Sequence, residues 1–504
     1  MYGKDDVPDI GKRASASAGR KTSFSRIWHI ADEYVREISS RPDKRYYYVL
    51  PIRERMKVII VGAGNVGMAS AEAASRNNDV LMIDSDPART EAAKNTLPVS
   101  VLREDGSNPK VLREAIERTE ADIIFSSVPD DAINIFICVA AKNIKPTIRT
   151  IACIRNPDYM VEDLKDVDLL ISPESITAEK IIMMTTLENA VTFDRLSIDG
   201  MCIVTFRIEN GQKVVGKTVM EMDVPKGCSV VAVYRGTETL LDTATAELRS
   251  GDRLCVMGTY GGIREFNDAI GVRKNAREVV ILGAGQSGIE IGKTLCADRG
   301  KYFVKIIDDD LARCREASKV LREAIVVNGP VVDPVFLRSE NVDRADVVIS
   351  VSPADERNLL ACMTALRFGI RKIISRYSME EYDEIFKYAG IESVVGYHRV
   401  IVNEISRRMV ISIDGSSAGF IRMDRPGDCL FGVDIKRGIP VCGMMLGNIR
   451  FPEGVRVAAV IRDGDLFYPS LTSQFAEGDR VLIYAHEADP VKLSALLGNQ
   501  IPEL

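Results

Sequence analysis

Residues 58–67 read VIIVGAGNVG, and residues 279–288 read VVILGAGQSG. In each, an apolar run of buried-strand length gives way to a G-x-G-x-x-G turn and then to a helix-type pattern. The first glycine (Gly62, Gly283) permits a tight turn. The second (Gly64, Gly285) lets the backbone approach a pyrophosphate, and the third (Gly67, Gly288) lets helix and strand pack closely. A helix opening here offers unpaired N–H groups and a partial positive charge to phosphates. Asp84 and Asp308 then end the next strand of each copy, where a carboxylate can accept both ribose hydroxyls. One such loop is weak evidence. Two, each in strand–loop–helix context with an acid after it, predict adenine-nucleotide binding. The acid disfavours a 2′-phosphate, so NAD or ATP is expected rather than NADP.

The likeness extends far beyond the two loops. The offset is 221 residues at Gly62/Gly283, 224 at Asp84/Asp308 and Asn134/Asn358, and 227 at Gly251/Gly478. Such a long period means a duplicated two-domain unit rather than a solenoid. In the first copy, strands are expected at 57–61, 80–83, 99–102, 122–126, 148–152 and 168–171. Helices are expected near 65–76, 87–95, 109–118, 131–143 and 157–164. That alternation predicts a Rossmann-like, doubly wound parallel sheet in each copy. Ser172-Pro173-Glu174 reads as an N-cap, a proline at the first helical position and an acid in the first turn. The helix it starts should run to Thr186 and leave the sheet. The remaining stretches, about 193–265 and 411–488, hold short β-type runs broken by Gly, Pro and Asp, the pattern of a small α+β domain. The expected limits are 1–55, 56–192, 193–275, 276–410 and 411–504. Apolar Ile176, Ile181, Ile182, Val400, Ile401 and Ile405 sit on the two connecting helices, whose faces would need cover from a neighbouring module.

Composition bounds the function. The 504 residues are 46% hydrophobic and 27% charged, with 66 Lys and Arg against 72 Asp and Glu. A net charge of −6 leaves no footprint for general nucleic-acid binding. No apolar run approaches the ~18 residues needed to span a bilayer. Residues 1–55 form a basic, low-complexity extension without the apolar core of a signal peptide, and two readings are open for it: a flexible basic arm, or sequence upstream of the true start at Met56, the reading favoured because the duplication starts there. Ten cysteines form no CxxC pair and only three histidines exist, so no zinc site is expected, and dispersed thiols suit a reducing cytoplasm. Hydride transfer needs an acid or base beside a nicotinamide. Neither unit shows that constellation, and His398 and His486 read as ordinary, partly buried side chains. Binding without chemistry is the expectation, with no catalytic residue.

With these residues assembled, the chain resembles the Trk-type potassium-uptake regulators (TrkA), built of tandem RCK (regulator of potassium conductance) domains. The landmarks are VIIVGAGNVG, IDSD at 83–86, EDGSNPKVLREA at 104–115, the loop SVPDDAINIFICVAA, and IACIRNPDYM. Val215-Gly216-Lys217, Ile461-Arg462-Asp463-Gly464 and the Gly-Asp-Arg turns at 251–253 and 478–480 resemble the family's small domain. The resemblance implies a non-enzymatic cytoplasmic subunit, peripheral at the inner face of the membrane. It would assemble as a homo-oligomeric ring, a tetramer by family likeness, and gate a Trk-type potassium-translocating membrane subunit according to bound NAD(H) or ATP/ADP. By position it implies pyrophosphate contacts at Gly62, Ala63, Gly64, Asn65 and Val66, ahead of Gly67, with ribose on Asp84. Asp105, Val128 and Pro129 would flank adenine and ribose. The second-copy counterparts are Gly283, Ala284, Gly285, Gln286 and Ser287, ahead of Gly288, with Asp308, Ser352 and Pro353.

Two departures separate the copies. The family's strand-five arginine, which can face phosphate, is Cys153 in the first copy and is retained as Arg376, an expected second-copy ligand contact, in the second, while the acid after strand three is Asp105 in the first and Pro330 in the second. Arg149 or Arg155 is a candidate for the missing cation in the first copy. The two sites should therefore differ in ligand preference. Two other readings stay open on sequence: an NAD-dependent oxidoreductase, and an RCK regulator of a cation–proton antiporter.

Overall fold

A computed structural model describes residues 56–498, apart from 76–77, 157–158, 161–163, 165, 197–199, 272–275, 299, 411–419, 424, 426 and 464. The extension at 1–55 and most of the helix expected at 157–164 lie outside the described residues.

The first unit opens with strands β1 (Lys57–Val61), β2 (Asp79–Asp84), β3 (Ser100–Arg103), β4 (Ile123–Ser126), β5 (Arg149–Cys153) and β6 (Leu169–Ile171). They form one parallel sheet in the order β3-β2-β1-β4-β5-β6, the doubly wound order whose crevice opens at the carboxyl ends of β1 and β4. Between them run α1 (Asn65–Ser75), α2 (Pro87–Thr96), α3 (Pro109–Thr119) and α4 (Asp131–Ile144), and α5 (Pro173–Thr186) follows β6. Side-chain caps set the helix starts. Asp86, Asn108, Asp130 and Ser172 each accept from first-turn N–H groups, and Pro87, Pro109 and Pro173 stand at the first helical position, where no N–H is needed. The chain then builds a five-stranded antiparallel sheet from β7 (Ala190–Arg195), β8 (Met201–Arg207), β9 (Cys228–Arg235), β10 (Glu238–Leu240) and β11 (Arg253–Thr259), covered by α6 (Tyr260–Ile270).

The second unit repeats this. Strands β12 (Glu278–Leu282), β13 (Phe303–Asp308), β14 (Ile325–Asn328), β15 (Val347–Ser350), β16 (Lys372–Tyr377) and β17 (Ser393–Gly396) pair in the same parallel order. Helices α7 (Gln286–Ala297), α8 (Leu311–Val320), α9 (Pro334–Ser339), α10 (Asp355–Arg367) and α11 (Glu381–Tyr388) lie between them, and α12 (Tyr397–Val410) leaves the sheet. A second antiparallel sheet holds β18 (Phe420–Arg422), β19 (Asp428–Asp434), β20 (Val455–Arg462), β21 (Asp465–Phe467) and β22 (Arg480–His486), followed by α13 (Pro490–Leu497).

The two units exchange their connecting helices. Ala178, Ile181, Ile182 and Met184 of α5 share a core with Val279, Ile281, Ile289 and Val395 of the second unit. Reciprocally, Tyr397, Ile401 and Ile405 of α12 share a core with Val58, Ile60, Ala69 and Ala71 of the first. Each sheet thus has one face covered by the other unit's helix, and burial of the Ile, Val and Met side chains, worth ~1.5–3 kcal/mol each, ties the units together. Lys372, at the start of β16, donates to the carbonyls of Leu187, Glu188 and Ala190 at 3.0, 3.1 and 2.8 Å, satisfying groups that the end of α5 leaves open. Buried ion pairs Lys180–Asp194 (2.5 Å) and Arg195–Glu179 (3.1 Å) fix α5 to β7. The small sheets also face each other, through Tyr234, Cys255 and Met257 on one side and Leu430, Leu482 and Tyr484 on the other.

Candidate functional site: the crevice at the first glycine loop

The three glycines of the first loop do three different jobs. Gly62 has φ +103°, a region that favours glycine, and its N–H donates to the carbonyl of Ile83 at 2.8 Å. A Cβ on Gly67 would lie 1.7 Å from the carbonyl oxygen of Gly62, so this glycine lets the helix sit on the strand. A Cβ on Gly64 would meet nothing within 4 Å. That is the open position, where a ligand can come against backbone.

The acid at the end of β2 holds the loop from behind. Asp84 accepts the N–H of Ala63 at 2.6 Å through Oδ2 and that of Asp86 at 2.8 Å through Oδ1. Arg89 lies 4.0 Å from the same carboxylate. Buried Asn134 fixes the far lip of the crevice. Its Oδ1 accepts from Ser126 Oγ (2.7 Å) and Val128 N (2.8 Å), while its Nδ2 donates to the carbonyls of Val128 and Cys153, both at 2.9 Å. All the amide's polar atoms are in use, so the turn after β4 is tied to the end of β5.

In front of the loop lies a cavity of about 530 Å³. Gly62, Ala63, Gly64, Asn65, Val66, Val128 and Pro129 line it, as the sequence led us to expect; Arg89, Arg155 and Glu174 complete the first unit's share. The opposite wall comes from the second unit: Pro353, Arg376, Ser378 and Tyr397. The Arg376 guanidinium lies over the Tyr397 ring at 4.6 Å and donates to Ser378 Oγ at 3.4 Å. Its Nε is buried with no hydrogen-bond partner among the described residues. Tyr397 donates its hydroxyl to Glu174 Oε1 at 2.7 Å, and burial pushes that phenol far above its ordinary range, so it remains a donor. Three arginines facing one glycine loop suit a phosphate-bearing ligand.

The second loop has the same backbone design. Gly283 has φ +123°, a Cβ on Gly288 would lie 2.0 Å from the carbonyl oxygen of Gly283, and a Cβ on Gly285 would meet nothing within 4 Å. Ala284 N donates to Asp308 Oδ2 at 2.7 Å, and Arg313 lies 3.9 Å from that carboxylate as Arg89 does from Asp84. Gln286 and Ser287 open α7. Ser352 N donates to Asn358 Oδ1 at 2.9 Å, repeating the Asn134 anchor. One contact is peculiar to this copy. Arg357 Nη1 lies 2.6 Å from Asp309 Oδ2, joining the turn after β13 to the first turn of α10 on either side of the loop.

The structure disperses the remaining expected residues. Asp105 accepts from its own loop, from Ser107 N at 2.9 Å and Oγ at 2.7 Å, and is exposed outside the cavity lining. Asp84 stands behind the loop rather than on the cavity wall. Arg149 begins β5, at the end of the sheet away from the crevice, whereas Arg155 lines the cavity and donates to the carbonyl of Pro129 at 3.3 Å. Arg376 and Pro353 face the first copy's cavity. Arg89 escaped the reading of the loops alone, although both copies carry an arginine five residues after the acid (Asp84/Arg89, Asp308/Arg313). Glu174 and Tyr397 carry no local signal, since their place depends on the exchanged helices.

Comparison with known proteins decides the family. The TrkA-N domain matches residues 58–173 and again 279–396, and the TrkA-C domain matches 203–271 and 430–498. The chain belongs to the TrkA family. Tandem TrkA-N and TrkA-C domains account for both halves. The Trk system potassium uptake protein TrkA homolog 1 of Methanosarcina mazei is 28% identical over 451 residues, covering 85% of this chain and 97% of the relative. The Trk system potassium uptake protein TrkA of Haemophilus influenzae is 24% identical over 456 residues, covering 85% and 95%. Among solved structures, the GsuK RCK domain superposes with a TM-score of 0.59 at 19% identity, covering 89% of this chain and 96% of that one. The GsuK channel bound to NAD gives 0.58 at 17%, covering 93% and 83%. At these identities the likeness speaks for the RCK fold. Among the described residues no helix is long and apolar enough to cross a membrane, and no group of His, Cys, Asp and Glu could hold a metal ion.

Proposed function

We propose that this chain is a nucleotide-binding regulatory subunit that takes up NAD(H) or ATP/ADP in the first cavity and thereby gates a Trk-type potassium-translocating membrane subunit, without chemistry of its own. The observation that carries the reading is the composition of the cavity wall: the glycine loop comes from the first unit and Arg376, Ser378 and Tyr397 from the second. A ligand bridging both walls has different contacts when the units shift, and differential affinity is what a ligand needs to move an equilibrium. Membership of the TrkA family and the potassium-uptake names of the relatives support the choice of partner. The GsuK channel bound to NAD supports a nucleotide as the ligand.

Assembly into a homo-oligomer, with a tetramer as the working number, belongs to the same proposal. Exposed Leu360, Met363 and Leu366 form a stripe along α10, and Ile133 and Phe136 a shorter one along α4, faces that a neighbouring chain would cover. We keep 56–192, 193–275, 276–410 and 411–504 as the proposed domain limits, and a cytoplasmic location at the inner membrane face through the partner. Separate calorimetric titrations of the purified full chain with NAD, NADH, ATP and ADP test the reading, with small-angle scattering at saturation. Binding of at least one nucleotide with an altered scattering profile is expected. Binding with identical profiles and unaltered potassium flux through the partner would leave a nucleotide-binding scaffold without a switch.

A further inference from the structure

Strand β16 lies along α5, the helix that the first unit sends across the second sheet. Its side chains alternate between the two faces of that sheet. Ile373 and Tyr377 enter the core on the far face, whereas Ile374 shares a core with Ile181 and Ile182 of α5. Lys372 and Arg376 stand two residues to either side of Ile374, on the α5 face.

Strand and helix meet at three levels. At the foot, the Lys372 ammonium donates to the carbonyls of Leu187, Glu188 and Ala190, so all three of its N–H groups are taken at the end of α5. In the middle, Ile374 packs with the helix. At the top, the Arg376 guanidinium lies over the Tyr397 ring at 4.6 Å, and Tyr397 donates to Glu174 in the first turn of α5. Lys372 and Arg376 are about 13 Å apart along the strand. The helix has 14 residues and is about 21 Å long, so the contacts run from one of its ends to the other.

The first copy does not repeat this arrangement. Arg149 pairs with Ile123 as Lys372 pairs with Val347, so the matching strand carries Arg149, Ile151 and Cys153. Cys153 is buried in the core. Of the two strands, β16 alone brings a cation to the first cavity. Apolar packing is non-directional and leaves a strand free to slide along a helix. Three charge-assisted hydrogen bonds at one end fix its axial position.

We propose that Lys372 is a positioning residue of the first cavity: by holding the foot of β16 on the end of α5, it sets where Arg376 stands opposite the first glycine loop. The inference rests on reading this cavity as the nucleotide site. Lys372 touches no ligand and acts through Arg376.

The test is a double-mutant cycle read by calorimetry on the full chain with NAD and with ADP. Burial pushes the Lys372 amine down to about 7, with Glu188 and Glu209 opposing that shift. The three carbonyls favour the charged form, and titration at pH 6 keeps the ammonium charged. Wild type, Lys372→Met, Lys372→Gln, Arg376→Ala and the Lys372→Met/Arg376→Ala double variant are compared, with millimolar ligand to keep the weaker ones measurable. Lys372→Met is expected to weaken binding about three- to tenfold, and Lys372→Gln less, since its amide keeps two donors. In the Arg376→Ala background the Lys372→Met loss should vanish to within about twofold, because the residue it positions is gone. A loss of the same size in both backgrounds shows general loosening and overturns the proposal, as does wild-type affinity in both Lys372 variants. Both variants should keep the wild-type circular dichroism, since α5 retains its core contacts; unfolding of both would show a purely structural role and overturn it too. Failure of the wild type to bind either nucleotide would instead overturn the reading of the cavity itself.

Discussion

Ala63 and Ala284 donate to their strand-end acids at 2.6 and 2.7 Å, and Arg89 and Arg313 stand 4.0 and 3.9 Å from those acids, so the two glycine loops share one local design. What faces them differs. The first loop looks across a cavity of about 530 Å³ onto Arg376 and Tyr397 of the other unit. Around the second, Arg357 and Asp309 pair at 2.6 Å across the loop, where the matching first-copy positions are Ser85 and Ile133, which cannot form an ion pair. A duplicated sequence thus keeps the backbone motif twice while changing its surroundings. The lesson is that a glycine fingerprint specifies a cradle, and the residues opposite the cradle specify what it can report.

The opposed arrangement depends on α5 staying docked between the units. Asp194→Ala would strand the Lys180 ammonium, which lies 2.5 Å away with only 11% of its side chain exposed. Loss of one partner from a buried pair is expected to cost about 3–5 kcal/mol, read from the denaturant midpoint of the full chain. A midpoint close to wild type would show that the pair does not hold the helix.

Next comes a matched pair of glycine variants. Gly64 and Gly285 both face open space, so aspartate at either should fold. Gly64→Asp places a like charge where the pyrophosphate would lie and should cost first-site binding several kcal/mol, about 3 or more. Gly285→Asp should leave the first site's affinity unchanged. Equal losses in both variants would erase the distinction drawn between the copies.

A smaller effect sharpens the account of the second loop. Arg357→Ala removes a half-exposed ion pair whose partners are 49% and 38% exposed, a contact worth ~0.2–1 kcal/mol. If that pair bars the crevice, the variant should gain nucleotide affinity at the second site by that amount, seen as a second binding event in calorimetry. A weaker second event would mean that Arg357 contacts the ligand instead.

Much of this was legible in the sequence, for identifiable reasons. Strand–helix alternation sets a parallel sheet wherever buried apolar runs alternate with capped helices, and β1, β12 and the Ser172-Pro173 cap fall where expected. The equivalence of Cys153 and Arg376 also holds in the backbone, since Asn134 and Asn358 donate to their carbonyls at 2.9 and 3.0 Å. Ile181 and Ile405 announced apolar faces, but an apolar face does not say what covers it. The exchange of helices joins residues far apart in the chain, such as Ser175 with Glu290 and Val58 with Ile401, and no local pattern encodes it. For the same reason Arg376 read as a second-copy ligand, when its side chain lines the first-copy cavity. Asp105 is harder to read, because an acid after strand three can face a ligand or cap its own turn, and here its Oδ1 accepts from Ser107 N and Oγ.

The proposed function requires a nucleotide site to which both units contribute. Calorimetric titration of Arg376→Ala with the nucleotides that bind the wild type tests it most directly, because Arg376 lies in the second unit yet has a buried Nε without a hydrogen-bond partner among the described residues at the first cavity. Loss of a charge-assisted hydrogen bond should weaken first-site binding by about 1.5–3 kcal/mol while the Gly285→Asp variant binds normally. Unchanged first-site affinity in Arg376→Ala would mean that the first unit binds its ligand alone, and that the facing wall has no part in sensing it.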